Sequence, residues 1–204
     1  MSWAMMAVAM APSAFPRPRE ENAALEPSIL ARCCEKDPMA FRAFVVRYQR
    51  MVFALLSRML GHGPEVEDLA QETFVRAYRA FPEFDPNGSA KVSTWLLTIA
   101  TRLALDSRKK KQVASASIDD AVDVATGSTP EITAARRELG QAIAEAAATL
   151  PDDQRAALIL AELHGLSIAE IATVLDVPEN TAKTRLFRAR EKMREALKDE
   201  WRTT

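Results

Sequence analysis

The chain of 204 residues sets 27 Lys and Arg against 28 Asp and Glu for a formal net charge of −1, and 48% of its residues are hydrophobic. That balance excludes a disordered polyelectrolyte and a chain that binds nucleic acid through its overall charge, so any contact with DNA must come from local patches. With 6 glycines, 6% aromatics and an excess of Ala, Leu, Glu and Arg over strand-forming residues, the expected fold class is all-α: two helical domains joined by a flexible acidic linker.

Residues 1–25 read as a disordered leader. Met1 to Met10 is apolar, but it has no basic segment of the kind a signal peptide begins with, and it gives way to Pro12, Pro16, Arg17 and Pro18. No later run is long and apolar enough to span a bilayer, which makes the expected location cytoplasmic. Cys33 and Cys34 are adjacent in a helix-like stretch, and neighbours on a helix do not face each other. His62 and His164 are far away in sequence, so no metal-ligand spacing arises; both cysteines are expected to pack, and no cofactor or small-molecule substrate is expected.

Residues 26–111 form the first expected domain. Asp37-Pro38 is a helix start, and Phe41, Phe44, Val45, Tyr48, Val52 and Leu55 recur at helical spacing behind it. Gly61-His62-Gly63-Pro64 breaks the pattern, and the next helix carries Val66, Leu69, Ala70, Phe74 and Ala77 on its inner face. Asp68, Gln71 and Glu72 stand at i, i+3 and i+4, which gathers them on the opposite, exposed face. A loop over Pro82 to Ser89 leads into a helix with Val92, Trp95, Leu96, Ile99 and Leu103 inward, ending in Arg108, Lys109, Lys110 and Lys111. Trp95 suggests a stacking platform for a base, but its spacing with Leu96 and Ile99 assigns it to packing.

Residues 112–131 contain Asp119, Asp120 and Asp123, small residues and a Gly-Ser-Thr-Pro end, the composition of a flexible acidic linker. Residues 132–200 are the second expected domain. An alanine-rich helix over Glu131 to Leu150 is followed by Leu150-Pro151, a helix to Leu163 and a stop at Gly165. Ser167 and Glu170 have capping-box spacing, and Val177-Pro178 turns the chain into a last helix. Ile168, Ile171, Ala172, Val174, Leu175 and Leu186 are the packing positions of a helix-turn-helix. Lys183, Thr184, Phe187 and Arg188 share the outer face of the last helix, where Arg or Lys can meet guanine edges and Thr or Phe the thymine methyl. Arg185 and Arg190 lie beside that line, placed for phosphates.

At this point the chain resembles the ECF sigma factors of bacterial RNA polymerase, in the sigma-70 family. Leu150-Pro-Asp-Asp-Gln-Arg155 ahead of the helix-turn-helix is similar to the start of their region four. Asp68-Leu-Ala-Gln-Glu-Thr-Phe-Val-Arg76 resembles their polymerase-docking helix, and Ser93-Thr-Trp-Leu-Leu-Thr-Ile-Ala100 with Ala104-Leu-Asp106 their promoter-melting segment. The likeness runs from about Asp37 to Leu197. It implies a promoter-recognition subunit without catalytic residues, whose partners are core RNA polymerase, through the clamp coiled coil and flap of its large subunits, promoter DNA and an anti-sigma factor. It further implies that Asp68, Gln71 and Glu72 grip the clamp, and that Asn87, Lys91, Arg102, Arg108 and Lys109 hold the melted downstream element. On the same grounds Lys183, Thr184, Arg185, Phe187, Arg188 and Arg190 meet the upstream element. Arg102 stands where the family usually has Asn, Val92 where it has an aromatic, and Asn180, Ala182 and Thr184 where Gly, Val and Ser are common.

Two other readings compete: a sigma mimic that binds an anti-sigma factor and no DNA, and a dimeric helix-turn-helix repressor with a ligand-binding first domain. The first should lack the Lys183, Arg185, Arg188 surface; the second needs an apolar pocket or a dimerisation helix. Because the chain is nearly neutral, its basic patches are expected to be hidden in the free two-domain protein.

Overall fold

The structure is a computed structural model that describes residues 25–86, 88, 91–115 and 134–198. All but the last residue of the expected leader (1–25) and most of the expected linker (112–131) lie outside the described residues, within which all regular structure is helical.

The first domain comprises α1 (Pro27–Cys34), α2 (Pro38–Leu60), α3 (Pro64–Ala80), a 3-10 turn (Phe81–Glu83) and α4 (Val92–Ser115). Prolines open α1, α2 and α3, where the missing N–H is not needed for the helix ladder. Asp37 caps α2 by accepting from the Met39 and Ala40 N–H groups at 2.8 and 3.3 Å. The Arg32 guanidinium and those two N–H groups hold the Asp37 carboxyl below the usual carboxylate range. Gly61 ends α2 at φ 87°, a backbone conformation that needs no Cβ.

Phe44, Val52, Leu55, Leu56 and Met59 of α2 meet Val66, Ala70, Phe74 and Ala77 of α3, with Leu96, Leu97, Ala100 and Ala104 of α4 closing the core. At one end Phe44 and Phe81 lie edge to face at 4.8 Å, and Phe81 meets Trp95 at 5.0 Å. Trp95 is therefore a packing residue in the closed chain. Cys33 is buried and Cys34 half-buried, and both are free thiols. Among the described residues no group of His, Cys, Asp or Glu is placed to hold a metal, and no helix is long and apolar enough to cross a membrane.

One boundary differs from expectation. α4 does not stop at Lys111 but continues through Gln112 and Val113 to Ser115. The change in composition at Gln112 marks a loss of basic charge, and Gln, Val and Ala extend a helix that is already nucleated.

The second domain comprises α5 (Ala134–Ala148), α6 (Asp152–Glu162), α7 (Ile168–Leu175) and α8 (Glu179–Ala196). Gly165 is left-handed at φ 65°, as a helix stop requires, and Ser167 and Glu170 form the capping box at the head of α7. Asp176 ends α7, also left-handed, with φ and ψ both 53°. Ala156, Ala157 and Leu160 of α6, Ile171, Ala172 and Val174 of α7, and Ala182 and Leu186 of α8 are buried together. The alanines let three short helices cross closely. The buried side chains of both domains join in one cluster, with α4 against α7 and α2 against α6.

Candidate polymerase and nucleic-acid interfaces

On α3 the inner residues Val66, Ala70, Thr73 and Phe74 are buried, while Asp68 and Gln71 are exposed and Glu72 is half-buried. Thr73 spends its hydroxyl on the Leu69 carbonyl at 2.7 Å, so a polar side chain sits in the core with its donor satisfied. Glu72 accepts from Arg76 one turn later at 2.7 Å. The helix thus offers Asp68, Gln71 and Glu72 on one solvent-facing acidic strip, which suits a partner bearing Arg or Lys.

The downstream set lies along α4. Lys91 is at its head, where its carbonyl accepts the Trp95 N–H at 3.0 Å, and its ammonium donates to Glu170 at 3.0 Å. Arg102 approaches Asp176 at 3.9 Å. Arg108 is paired with Asp152 and donates to the Met59 carbonyl at 3.2 Å; Gln112 donates to the other Asp152 oxygen at 2.9 Å. Lys109 is exposed, and Asn87 lies outside the described residues. Every anionic partner here belongs to the second domain, an arrangement that sequence spacing does not announce.

Glu170 is the pivot of that arrangement. One of its oxygens accepts from the Ser167 N–H and hydroxyl, both at 2.9 Å, and the other from Lys91 and, at 3.5 Å, from Thr94. Those donors, the Ser167 N–H foremost and Lys91 after it, lower its carboxyl to about 2.

Arg155 closes the Leu150 to Arg155 stretch that resembles the start of region four, but its bonding role does not follow from the sequence. It sits on α6 only 4% exposed and donates to the carbonyls of Ala147, Ala148 and Leu150 at 2.9, 2.5 and 3.3 Å, and across the domains to Met59 at 3.1 Å. Burial, reinforced by nearby Arg108 and opposed by Asp152, lowers its guanidinium to about 10, so it remains charged at neutral pH. The clue available in the sequence is an arginine beside the inward Ala156 and Ala157, one turn into a helix that follows closely on the end of another, whose last carbonyls need donors.

On α8, Ala182, Leu186 and Ala189 face inward, and Lys183, Thr184, Phe187 and Arg188 face solvent, with Phe187 63% exposed. An exposed phenyl ring among cations suits an apolar contact such as a thymine methyl. Thr184 donates its hydroxyl to the Asn180 carbonyl at 2.8 Å. Arg185 is paired with Asp153 at 2.9 Å and Arg190 with Glu162 at 2.7 Å, so both flanking cations carry an internal carboxylate in the free chain. The two basic patches therefore differ: on α4, Lys91, Arg102 and Arg108 each approach a carboxylate of the second domain while Lys91, Arg102 and Lys109 stay exposed, and the outer face of α8 is open, contrary to the expectation that both patches are hidden.

Residues 44–113 match the family model for Sigma-70 region 2, and residues 140–193 that for Sigma-70, region 4. The chain is 38% identical over 173 residues to the ECF RNA polymerase sigma factor SigW of Bacillus subtilis (strain 168), covering 80% of this chain and 91% of that protein. It is 37% identical over 173 residues to the ECF RNA polymerase sigma-E factor of Escherichia coli (strain K12), covering 80% and 89%. Among solved structures it is similar to CnrH in complex with the cytosolic domain of CnrY, with a TM-score of 0.62, 26% identity, and 85% and 97% of the two chains covered. The fold is also that of the sigma factor RpoE, solved with the anti-sigma factor NepR from Bartonella quintana, at a TM-score of 0.66, 24% identity and coverage of 78% and 96%.

Proposed function

The chain belongs to the ECF sigma factors of the sigma-70 family, and from that membership we propose how its residues divide the work of promoter selection. As an ECF sigma factor it binds core RNA polymerase and directs transcription initiation at promoters. In our reading the acidic strip of Asp68, Gln71 and Glu72 docks on the clamp coiled coil of the largest subunit, and the second domain on the flap. The outer face of α8 then enters the major groove of the upstream element. Lys183, Thr184, Phe187 and Arg188 read base edges there, while Arg185 and Arg190 exchange their internal carboxylates for phosphates. Lys91, Arg102, Arg108 and Lys109, with Asn87 in the preceding loop, hold the opened downstream strand, whose unstacked base is read on its Watson–Crick edge. Bond making stays with the polymerase, and the protein works in the cytoplasm, where the polymerase is.

The observation that carries this reading is the two-sidedness of α8: buried Ala182, Leu186 and Ala189 on one side, and a solvent-facing Lys183, Thr184, Phe187, Arg188 strip on the other. A decoy that binds no DNA has no use for that strip. Regulation by an anti-sigma factor follows from the same surfaces, since a protein covering the Asp68 strip and the outer face of α8 blocks polymerase and promoter together. The test is run-off transcription and footprinting on a pool of genomic promoters with purified chain and core polymerase. A footprint that needs both components supports the reading. Protection by the chain alone at physiological salt would indicate a repressor, and failure to co-purify with core would indicate a decoy.

A further inference from the structure

The geometry points to a binding site for an anionic single-chain amphiphile, a carboxylate or phosphate head on an unbranched hydrocarbon tail, in the hollow where the two domains meet. The hollow has a volume of about 910 Å³ and lies between the end of α2 and helices α5, α6 and α8. Small-molecule sites are of that size, roughly 300–1,000 Å³, and mostly apolar with a few placed polar groups. Here Met59 and Leu60 come from the first domain, and Leu158, Met193 and Leu197 from the second. Ile143 and Leu163, also in the wall, are 39% and 48% exposed, so apolar surface is left wet where it is already gathered. The hollow belongs to the seam and not to the interior of the first domain, so it is not the pocket that a repressor with a ligand-binding first domain needs.

The wall carries more positive charge than its own carboxylates answer. Arg108 and Arg155 both line the hollow and donate to the same Met59 carbonyl, at 3.2 and 3.1 Å. Like charges drawn to one oxygen repel each other, the more so because Arg155 is only 4% exposed. Asp152, the carboxylate beside them, is paired with Arg108 and gives its second oxygen to Gln112. Among the described residues no carboxylate is bonded to Arg155, whose partners are all backbone carbonyls. A buried cation without an anion of its own is costly, and an anion brought in from outside relieves that cost. Glu162, the one carboxylate in the wall, is taken by Arg190. Donors for a head are at hand: Nη2 of Arg108 makes no hydrogen bond among the described residues, and Arg58, also in the wall, is exposed. One uncompensated charge beside an apolar wall is matched by one anionic head on one tail. A bare inorganic anion leaves the wall wet, and a neutral lipid leaves the guanidiniums unanswered.

The test is isothermal titration of the full-length chain with dodecanoate and with dodecyl phosphate, each below its micelle concentration, against 1-dodecanol, dodecyltrimethylammonium and acetate. Both anionic amphiphiles should bind one to one and raise Tm, dodecanol should bind about tenfold more weakly or less, and acetate and the cationic amphiphile should not bind. Tighter binding of one anionic head than of the other supports the site and names the head. Arg108→Gln should weaken dodecanoate about tenfold and leave dodecanol unchanged, whereas Ile143→Asp, at a position already part exposed, should weaken both. Should Arg108→Gln fail to fold by circular dichroism, Arg58→Gln takes its place and must weaken the anionic amphiphiles selectively, in smaller measure. Equal binding of the cationic amphiphile, several molecules per chain, or titrations that neither substitution alters would mean adsorption as a detergent and overturn the proposal. Absence of binding overturns it too, including the case of a chain found dimeric by sedimentation, in which a second copy fills the hollow.

Discussion

Ser167 and Glu170 cap each other: the Glu170 N–H donates to the Ser167 hydroxyl oxygen at 3.3 Å, and the Ser167 N–H donates back to the Glu170 carboxylate at 2.9 Å. The return bond requires a charged carboxylate to be strongest, and this makes the start of α7 sensitive to acid.

The Glu170 carboxyl is lowered from 4.5 to about 2, so its stabilisation is fully present above about 4.5 and is lost as pH falls toward about 2. Urea midpoints measured across that window should fall for the native chain. Glu170→Gln, which keeps the bond geometry but has no proton to gain, should lose on the order of 1 kcal/mol at neutral pH and show a shallower acid decline. Parallel declines for both proteins would mean that other carboxylates dominate.

Arg155 is the strongest candidate for a stability determinant, because it is itself buried and its removal takes the guanidinium donor from the carbonyls of Ala147, Ala148 and Leu150. Arg155→Met should cost about 2–4 kcal/mol in chemical denaturation. Arg155→Lys should recover little of that, since a single ammonium cannot span the divergent acceptors of a guanidinium fork. Recovery to native stability by Lys would show that charge, and not geometry, is what the site needs.

On α3, Asp68→Arg/Glu72→Arg should lower affinity for core polymerase by about a hundredfold, as like charges brought together at an interface do, with an unchanged helical circular-dichroism spectrum. Retention of both variant and native chain by immobilised core at equal concentrations would place the docking surface elsewhere.

On α8, Arg188→Ala should cost about 1–3 kcal/mol and relax preference at one upstream base pair. Arg190→Ala should weaken binding to all promoters alike. Because Arg190 must first give up Glu162, its loss should reduce the salt slope by less than about one counterion. Affinities of holoenzyme for single-base promoter variants at several salt concentrations separate the two, and identical uniform losses would mean that Arg188 faces phosphate.

What could be read in the sequence was whatever depends on near neighbours. Gly165, the Ser167 and Glu170 pair, the inner and outer faces of α8 and the acidic strip of α3 all follow from spacings of three or four residues, and the structure has them where spacing puts them. The left-handed corner at Asp176 was not legible, because Asp enters that conformation more readily than most residues but far less often than Gly, too weak a signal on its own. Nor were the bonds between domains. Lys91 and Glu170 are 79 positions apart, and Arg155 and Met59 96, and no periodicity links residues at that range. The continuation of α4 to Ser115 was missed because a drop in charge was taken for a drop in helix propensity.

The Met59 carbonyl accepts from both Arg108 of its own domain and Arg155 of the other. If the second domain swings away, Met59 keeps Arg108, and Arg155 keeps Ala147, Ala148 and Leu150. The carbonyls at the joint thus stay answered on both sides; what separation gives up is the apolar contact and the Lys91–Glu170, Arg102–Asp176 and Arg108–Asp152 pairs. Parting the domains along this seam breaks no helix ladder in either half, so a change of shape there does not require either half to melt.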